Sequence, residues 1–391
     1  MRRFSLILLL LVVASALLVG FHVYIAQRLV LDPELAEPWR GMALAALAAL
    51  GASLVLQPIG ERLLPRSRAR WLAWPAALWM GFAFLLLLAL LVSDVGLWLA
   101  GGVAAAAEDL PGHGPGAGLR AAAVLSIALL AGLAGLRSGL KPPQLRRVEI
   151  ELPRWPAGRD GYRIVQISDI HIGPILGRDF AARLVARVNA LAPDLVAITG
   201  DLVSHDLKYV NAISDLIAKL RRPIAVTFGN HDYSQTIEPW TSHEVADALT
   251  SALQSRQIEV LRNRSLAIKH DDGQINLVGL DDFWSGTYSP EKAFANVNPN
   301  DPIIALSHNP DSIFSLARHG AHFVLAGHTH GGQIRIPILG SLVLPVRFKQ
   351  YDQGLFDVRG TKMYVSRGVG CRVPVRFRCP PEVTTFTLTR G

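Results

Sequence analysis

The chain has 391 residues, half of them apolar and only 18% charged, with a mean hydropathy of +0.30, a balance that argues against a wholly soluble protein. The net charge of +8 is explained in part by arginines that flank apolar segments and meet anionic lipid, so it does not point to nucleic acid as a partner. Cys371 and Cys379 lack the C-x-x-C spacing of a paired metal site and read as free thiols in a reducing compartment.

The apolar excess lies in the first part of the chain. The run at 4–26 is nearly uncharged and long enough to cross a bilayer, which takes roughly 20 apolar residues. Behind Met1-Arg2-Arg3 it also has the outline of a signal peptide, with Ala14-Ser15-Ala16 as cleavage site, but it continues well past those small residues and more runs follow. Further runs at 41–59, 71–99 and 119–136 predict four transmembrane helices in all. The apolar core of the third is long enough by Val92, which leaves Asp94 at the interface rather than as an intramembrane functional carboxylate. Trp39, Trp71, Trp74 and Trp98 fall near span ends, where amphipathic rings favour the headgroups.

Lys and Arg in the short loops set the expected orientation. Arg2 and Arg3 precede the first span, Arg62, Arg66, Arg68 and Arg70 lie between the second and third, and Arg137, Lys141, Arg146 and Arg147 follow the fourth. These sides are expected in the cytoplasm, with the loops at 28–40 and 101–118 outside. The division that follows is a transmembrane region at 1–140, a linker at 141–158 that includes Lys141-Pro142-Pro143, and a domain at 159–391 facing the cytoplasm from a multi-pass position in the inner membrane.

In that domain short β-type runs alternate with helical patterns, the signature of βαβ units that gather ligands at strand C-termini. The run at 164–168 ends in Asp169-Ile170-His171. A helical stretch at 179–191 leads to a strand at 195–199 that ends in Gly200-Asp201. Another, at 211–220, leads to 224–228 and Gly229-Asn230-His231-Asp232. The runs at 303–307 and 323–326 end in His308-Asn309-Pro310 and Gly327-His328-Thr329-His330. Each group alone is ordinary cap or turn chemistry. Together they are not, because capping has no use for histidines at 171, 231, 308, 328 and 330, all expected at one edge of one sheet. Convergent imidazoles and carboxylates imply a transition metal, and these donors outnumber what one ion uses.

In this order, D-x-H, G-D, G-N-H-D, a lone His and G-H-T-H resemble the calcineurin-like metallophosphoesterases, over roughly Tyr162 to the C-terminus; the N-terminal spans resemble the bacterial membrane-associated members. The resemblance implies an α/β domain built as a four-layer αββα sandwich with mixed sheets, following an all-α transmembrane region. By position it implies that Asp169, His171 and His330 hold one metal, that Asn230, His308 and His328 hold the other, and that Asp201 bridges them. His231 becomes the catalytic histidine, oriented by Asp232. Two such cations clamp phosphoryl oxygens and acidify a bridging water to a nucleophile, while His231 protonates the leaving alkoxide. Mixed N/O donors without thiolate suit manganese, iron or zinc; the resemblance favours manganese.

Substrate choice has two candidate elements. The stretch at 331–354 mixes Ile334, Ile336, Ile338, Leu339, Leu342, Val343 and Leu344 with Arg335, Arg347 and Lys349, and reads either as a loop that holds a lipid or anionic headgroup or as a plain hairpin with solvated cations. Phe283 and Trp284 read as a second rim or as core. A transmembrane region devoted to one enzyme favours a substrate at the inner leaflet, a lipid phosphodiester or pyrophosphate such as UDP-diacylglucosamine. The alternatives are a general phosphodiesterase or phosphatase that the membrane region merely locates, and a non-catalytic scaffold. Reporter fusions test the orientation: one at Gly112 is expected to read outside and one at Gly391 inside, and an outside reading at Gly391 would put the domain across the membrane.

Overall fold

A backbone in an apolar solvent has to bond to itself, and the apolar part of this chain does so as helices. In the computed structural model, which describes residues 2–101, 116–233, 242–271 and 273–391, these are α1 (Arg2–Ala26), α2 (Trp39–Leu63), α3 (Arg66–Gly101) and α4 (Ala117–Leu140). The stretches Val12–Leu31, Trp39–Leu63, Arg66–Leu99 and Ala117–Leu140 are four helices long and apolar enough to cross a membrane by length and composition. Most of the second loop expected to face outward, 101–118, Gly112 included, lies outside the described residues. Asp94 of α3 is no isolated carboxylate: it accepts from the Tyr24 hydroxyl at 2.8 Å and from Arg28 Nε at 3.1 Å, and pairs with Arg120 of α4. Arg28 also pairs with Asp32 at 3.0 Å, so these charges compensate one another where isolated ones would be costly.

Contacts divide the chain into Met1–Ala134 and Gly135–Gly391. The strands of the second unit are β1 (Gln144–Leu152), β2 (Tyr162–Ile167), β3 (Leu195–Thr199), β4 (Ile224–Thr227), β5 (Glu259–Val260), β6 (Arg264–His270) and β7 (Gly273–Gly279). They continue with β8 (Ile303–Leu306), β9 (Phe323–Ala326), β10 (Arg335–Ile336), β11 (Gly340–Ser341), β12 (Gly354–Val358), β13 (Thr361–Val365) and β14 (Glu382–Arg390). Its helices are α5 (Arg178–Ala190), α6 (Val210–Ile217), α7 (Glu244–Gln254), α8 (Pro290–Phe294) and α9 (Ile313–Arg318).

Two six-stranded sheets form, in the orders β1-β14-β2-β3-β4-β5 and β12-β13-β9-β8-β7-β6. Both are mixed: β2 to β5 are mutually parallel and β14 is antiparallel to β2, while β7, β8, β9 and β13 are mutually parallel between antiparallel β6 and β12. Alternation along the strands builds the layers. Leu195 and Ala197 of β3, with Ile304 and Leu306 of β8, join the core between the sheets, where Phe386 meets Phe323 and Tyr364, ring centroids 5.1 Å apart in each pair. Val196 and Ile198 face the other way, onto Leu184, Ile213 and Leu249 of α5, α6 and α7. Ile303 and Ala305 do the same onto Ala293, Ile313 and Leu316 of α8 and α9. The result is the expected αββα sandwich.

Half of the segment expected as a linker, Gln144–Leu152, is strand. β1 runs parallel to β14, in register from Gln144 against Glu382 to Leu152 against Arg390, and its Ile150 and Leu152 are buried in the core between the sheets. Leu277 of β7, in that same core, is fully buried. Leu277→Ala is expected to destabilise the fold by about 2–5 kcal/mol through loss of burial plus a residual cavity. Chemical unfolding in detergent measures this, and a loss below about 1 kcal/mol would mean that the sheets do not depend on that packing.

Candidate metal centre

The C-terminal ends of β2, β3 and β4 in one sheet and of β8 and β9 in the other deliver the sequence-predicted residues. The edge expected to be one sheet's is therefore shared by two, because the β6–β7 hairpin starts a second sheet that a simple βαβ alternation conceals. Buried polar bonds tie the edges together: Gln166 Nε2 donates to the Ala326 carbonyl at 2.9 Å, and His308 Nδ1 donates to the Thr199 carbonyl at 2.7 Å.

The turns that follow these strands are tight. Asp169, His171, Asp201, His328 and His330 all have left-handed backbones, with φ of 57°, 50°, 56°, 70° and 50°. Non-glycine residues rarely adopt this conformation, and it persists only where the surroundings over-determine it. Here Asp169 N bonds the Gly200 carbonyl at 3.0 Å and His171 N the Asp201 carbonyl at 2.9 Å. Gly229 permits a close approach, since a Cβ there would overlap Asp201 Oδ1 and lie 2.6 Å from His308 Cδ2.

Asp201 Oδ2 stands between two groups of donors, 3.5 Å from His171 Nε2 and 3.2 Å from His308 Nε2. On one side His330 Nε2 is 3.1 Å from His171 Nε2 and 3.4 Å from Asp169 Oδ1. Donor atoms of Asp169, His171, Asp201 and His330 all lie within 4.8 Å of one another. On the other side His328 Nδ1 is 3.2 Å from His308 Nε2. Asn230 Oδ1 is buried without a hydrogen-bond partner among the described residues. An orphaned oxygen on the residue after Gly229, which itself packs against Asp201 and His308, fits a hard or borderline cation.

Outer contacts fix the tautomers. A carbonyl only accepts, so the bond to Thr199 makes His308 Nδ1 the protonated nitrogen and leaves Nε2 for the centre. The Pro345 carbonyl, 3.0 Å from His328 Nε2, likewise leaves His328 Nδ1. Burial is the largest cause that lowers the pKa of His171, His231, His328 and His330, that of His328 to about 3. Neutral imidazoles are the form that ligates. Burial opposes a charge on His308 too, yet the Asp201 carboxylate pushes it up to about 10. Burial also disfavours the charged form of Asp201, but His308, His231 and His171 hold it well below the usual carboxylate range.

His231 is brought to the same place. Its backbone N–H donates to Asp201 Oδ1 at 2.8 Å, and its ring centroid lies 4.8 Å from that of His171. Asp232 does not orient it as expected. Its carboxylate accepts from backbone N–H groups of Leu202 at 2.8 Å, Val203 at 3.1 Å and Gly229 at 3.0 Å, which fastens the Asp201 turn to the Asn230 turn. Consecutive residues of a tight turn point apart, which the sequence adjacency hides. Burial, then the charge of Asp201, push Asp232 up to about 8 against the pull of those donors.

Two neighbours escaped the sequence reading. His205 stacks obliquely on His231, centroids 4.2 Å apart, and no motif flagged it. The buried Arg376 donates from Nη2 to His330 Nδ1 at 3.0 Å and to the Gly370 carbonyl at 2.5 Å. It lies 46 residues from His330 in sequence, beyond any local pattern.

Residues 162–332 match the calcineurin-like phosphoesterase family. The chain is 31% identical over 257 residues to "Uncharacterized metallophosphoesterase YkuE" of Bacillus subtilis, an alignment that covers 64% of this chain and 87% of that one. It is 30% identical over 287 residues to "UDP-2,3-diacylglucosamine pyrophosphatase LpxG" of Chlamydia muridarum, covering 61% and 87%. With "Phosphodiesterase YaeI" of Escherichia coli it shares 34% identity over 230 residues, covering 58% and 82%. The geometry around Gly229 makes a direct prediction. Gly229→Ala, which displaces Asp201 and His308, is expected to weaken the binding of a divalent cation such as Mn2+ about tenfold or more and to remove the rise in Tm expected of the wild type on adding that cation. An unaltered Mn2+-dependent rise would remove these two side chains from the metal centre.

Proposed function

The chain belongs to the calcineurin-like metallophosphoesterases, hydrolases of phosphoester bonds, and from that premise we propose a dinuclear enzyme that cleaves a phosphodiester or pyrophosphate linkage in a membrane lipid. In this reading Asp169, His171 and His330 hold one divalent ion, Asn230, His308 and His328 hold the other, and Asp201 is shared. The observation that carries it is the position of Asp201 Oδ2, within 3.5 Å of a nitrogen from each group. Manganese is the favoured metal, with iron or zinc compatible with the same donors. Bound ions supply charge to the phosphoryl oxygens and acidity to a water nucleophile.

The chain's own residues do the rest. The Thr199 and Pro345 carbonyls hold His308 and His328 in the ligating tautomers. The three backbone bonds of Asp232 hold the Asp201 and Asn230 turns together. His231 would act as general acid at the leaving oxygen, the negative charge of a bound phosphoester favouring its protonated form. The lipid half of the proposal is supported by the apolar helices and by the name of the Chlamydia relative; it places the domain on the cytoplasmic side of the inner membrane. The name of the Escherichia coli relative supports the second reading, a general phosphodiesterase that the helices merely locate.

His231→Ala is expected to lower kcat on an aryl phosphodiester about 10²–10⁴-fold while the protein keeps its full complement of metal by elemental analysis. An unchanged kcat would take the proton-transfer role away from His231. Hydrolysis that survives exhaustive chelation would remove the metal mechanism as a whole.

A further inference from the structure

Beside the metal centre lies a cavity of about 660 Å³, within the range that encloses a sizeable organic ligand. Phe283, Trp284, Tyr288, Phe314, Val346 and Phe348 form much of its wall. It shares two groups with the centre. The Trp284 indole stands edge-on to His328, centroids 4.7 Å apart, and the carbonyl of Pro345, another wall residue, is the one that accepts from His328 Nε2. A molecule in this cavity has one end beside a residue that the function above assigns to the metal.

Three polar side chains of the wall, Asp311, Tyr288 and Ser315, already have partners. The two oxygens of Asp311 accept from Arg347 N at 2.7 Å and Phe348 N at 3.1 Å, and the Tyr288 hydroxyl bonds Ser315 Oγ at 2.6 Å. What remains for an occupant is largely aromatic and aliphatic surface. A nucleobase would bury edge donors and acceptors there at a cost, whereas a hydrocarbon chain has none to lose. Arg318 and Arg347 outnumber Asp311 in the wall, and this positive balance suits an anionic headgroup. The chain that forms one side, 344–348, continues directly from Ile338, Leu339, Leu342 and Val343, all exposed. An apolar run of this kind on the surface marks a contact with lipid or a partner.

We propose that this cavity is an acyl-chain site: it takes a fatty acyl chain of the lipid phosphoester whose phosphoryl group lies at the metal centre. The inference rests on the lipid reading of the function and adds where the apolar part of the substrate is held. A nucleoside in the same place is the rival outcome.

The test uses full-length, Mn2+-loaded protein in detergent and a pair of aryl phosphodiesters, one with a long acyl chain and one without. The wild type is expected to favour the acyl ester in kcat/KM by about tenfold or more, and Ser315→Phe, which narrows the cavity, or Leu344→Asp, which charges it, to lose about tenfold of that preference, mainly through KM. An equal preference in wild type and both variants overturns the acyl site while the hydrolase reading stands. Hydrolysis of neither ester by the wild type removes that reading and the inference with it. Loss of discrimination for a nucleoside diphosphate diester, with the chain preference intact, assigns the cavity to a nucleobase and overturns the proposal. Should both variants fold poorly, the wild type alone decides. A photoactivatable diazirine acyl phosphodiester is expected to label peptides spanning 283–288, 311–318 or 344–348, and labelling confined to α1–α4 overturns the proposal.

Discussion

One carboxylate shared between two sets of imidazoles is the constraint on which the rest of this structure depends. Asp201 Oδ2 reaches towards His171 from the end of one sheet and towards His308 from the end of the other. A buried acid among histidines is costly unless positive charge compensates it. The fold accepts that cost at a point where left-handed turns, a glycine without room for a Cβ and backbone bonds to Asp232 leave the carboxylate little freedom. Groups placed this firmly need no reorganisation when charge develops on a substrate.

The sandwich explains how such turns are held. Each strand that delivers a donor is buried on both faces, one against helices and one against the facing sheet. The strands are short and stiff, and their ends meet because Gln166 and His308 bond carbonyls across the gap between the sheets. The loop at 331–354 serves two purposes at once. Its Pro345 carbonyl sets the tautomer of His328, and its neighbours line the cavity beside it. A substrate that moves this loop therefore acts on the centre through an existing hydrogen bond.

Much of this was legible in sequence where burial is continuous. The runs at 195–199 and 323–326 have no polar interruption, and they are strands at those limits, β3 and β9. The donors at strand ends could be read because each follows such a run directly. What could not be read depends on partners far away in the chain. β1 looks like a charged linker because Arg146, Arg147, Glu149 and Glu151 mask its alternation, and its partner β14 is the last strand of the chain. The second sheet was legible through the resemblance and not through the βαβ alternation, which has no place for the antiparallel β6–β7 pair. Asp232 was assigned to its sequence neighbour His231, whereas its bonds go to the backbone of the Asp201 turn. Arg376 had no local signal at all.

The proposed enzyme depends on two ions held through one carboxylate. Titration of the metal-free, full-length protein with Mn2+, followed by electron paramagnetic resonance, tests it most directly. Two bound ions per chain whose spins couple are expected, with the coupled signal lost in Asp201→Ala. A single bound ion, or two that remain magnetically independent, would contradict it.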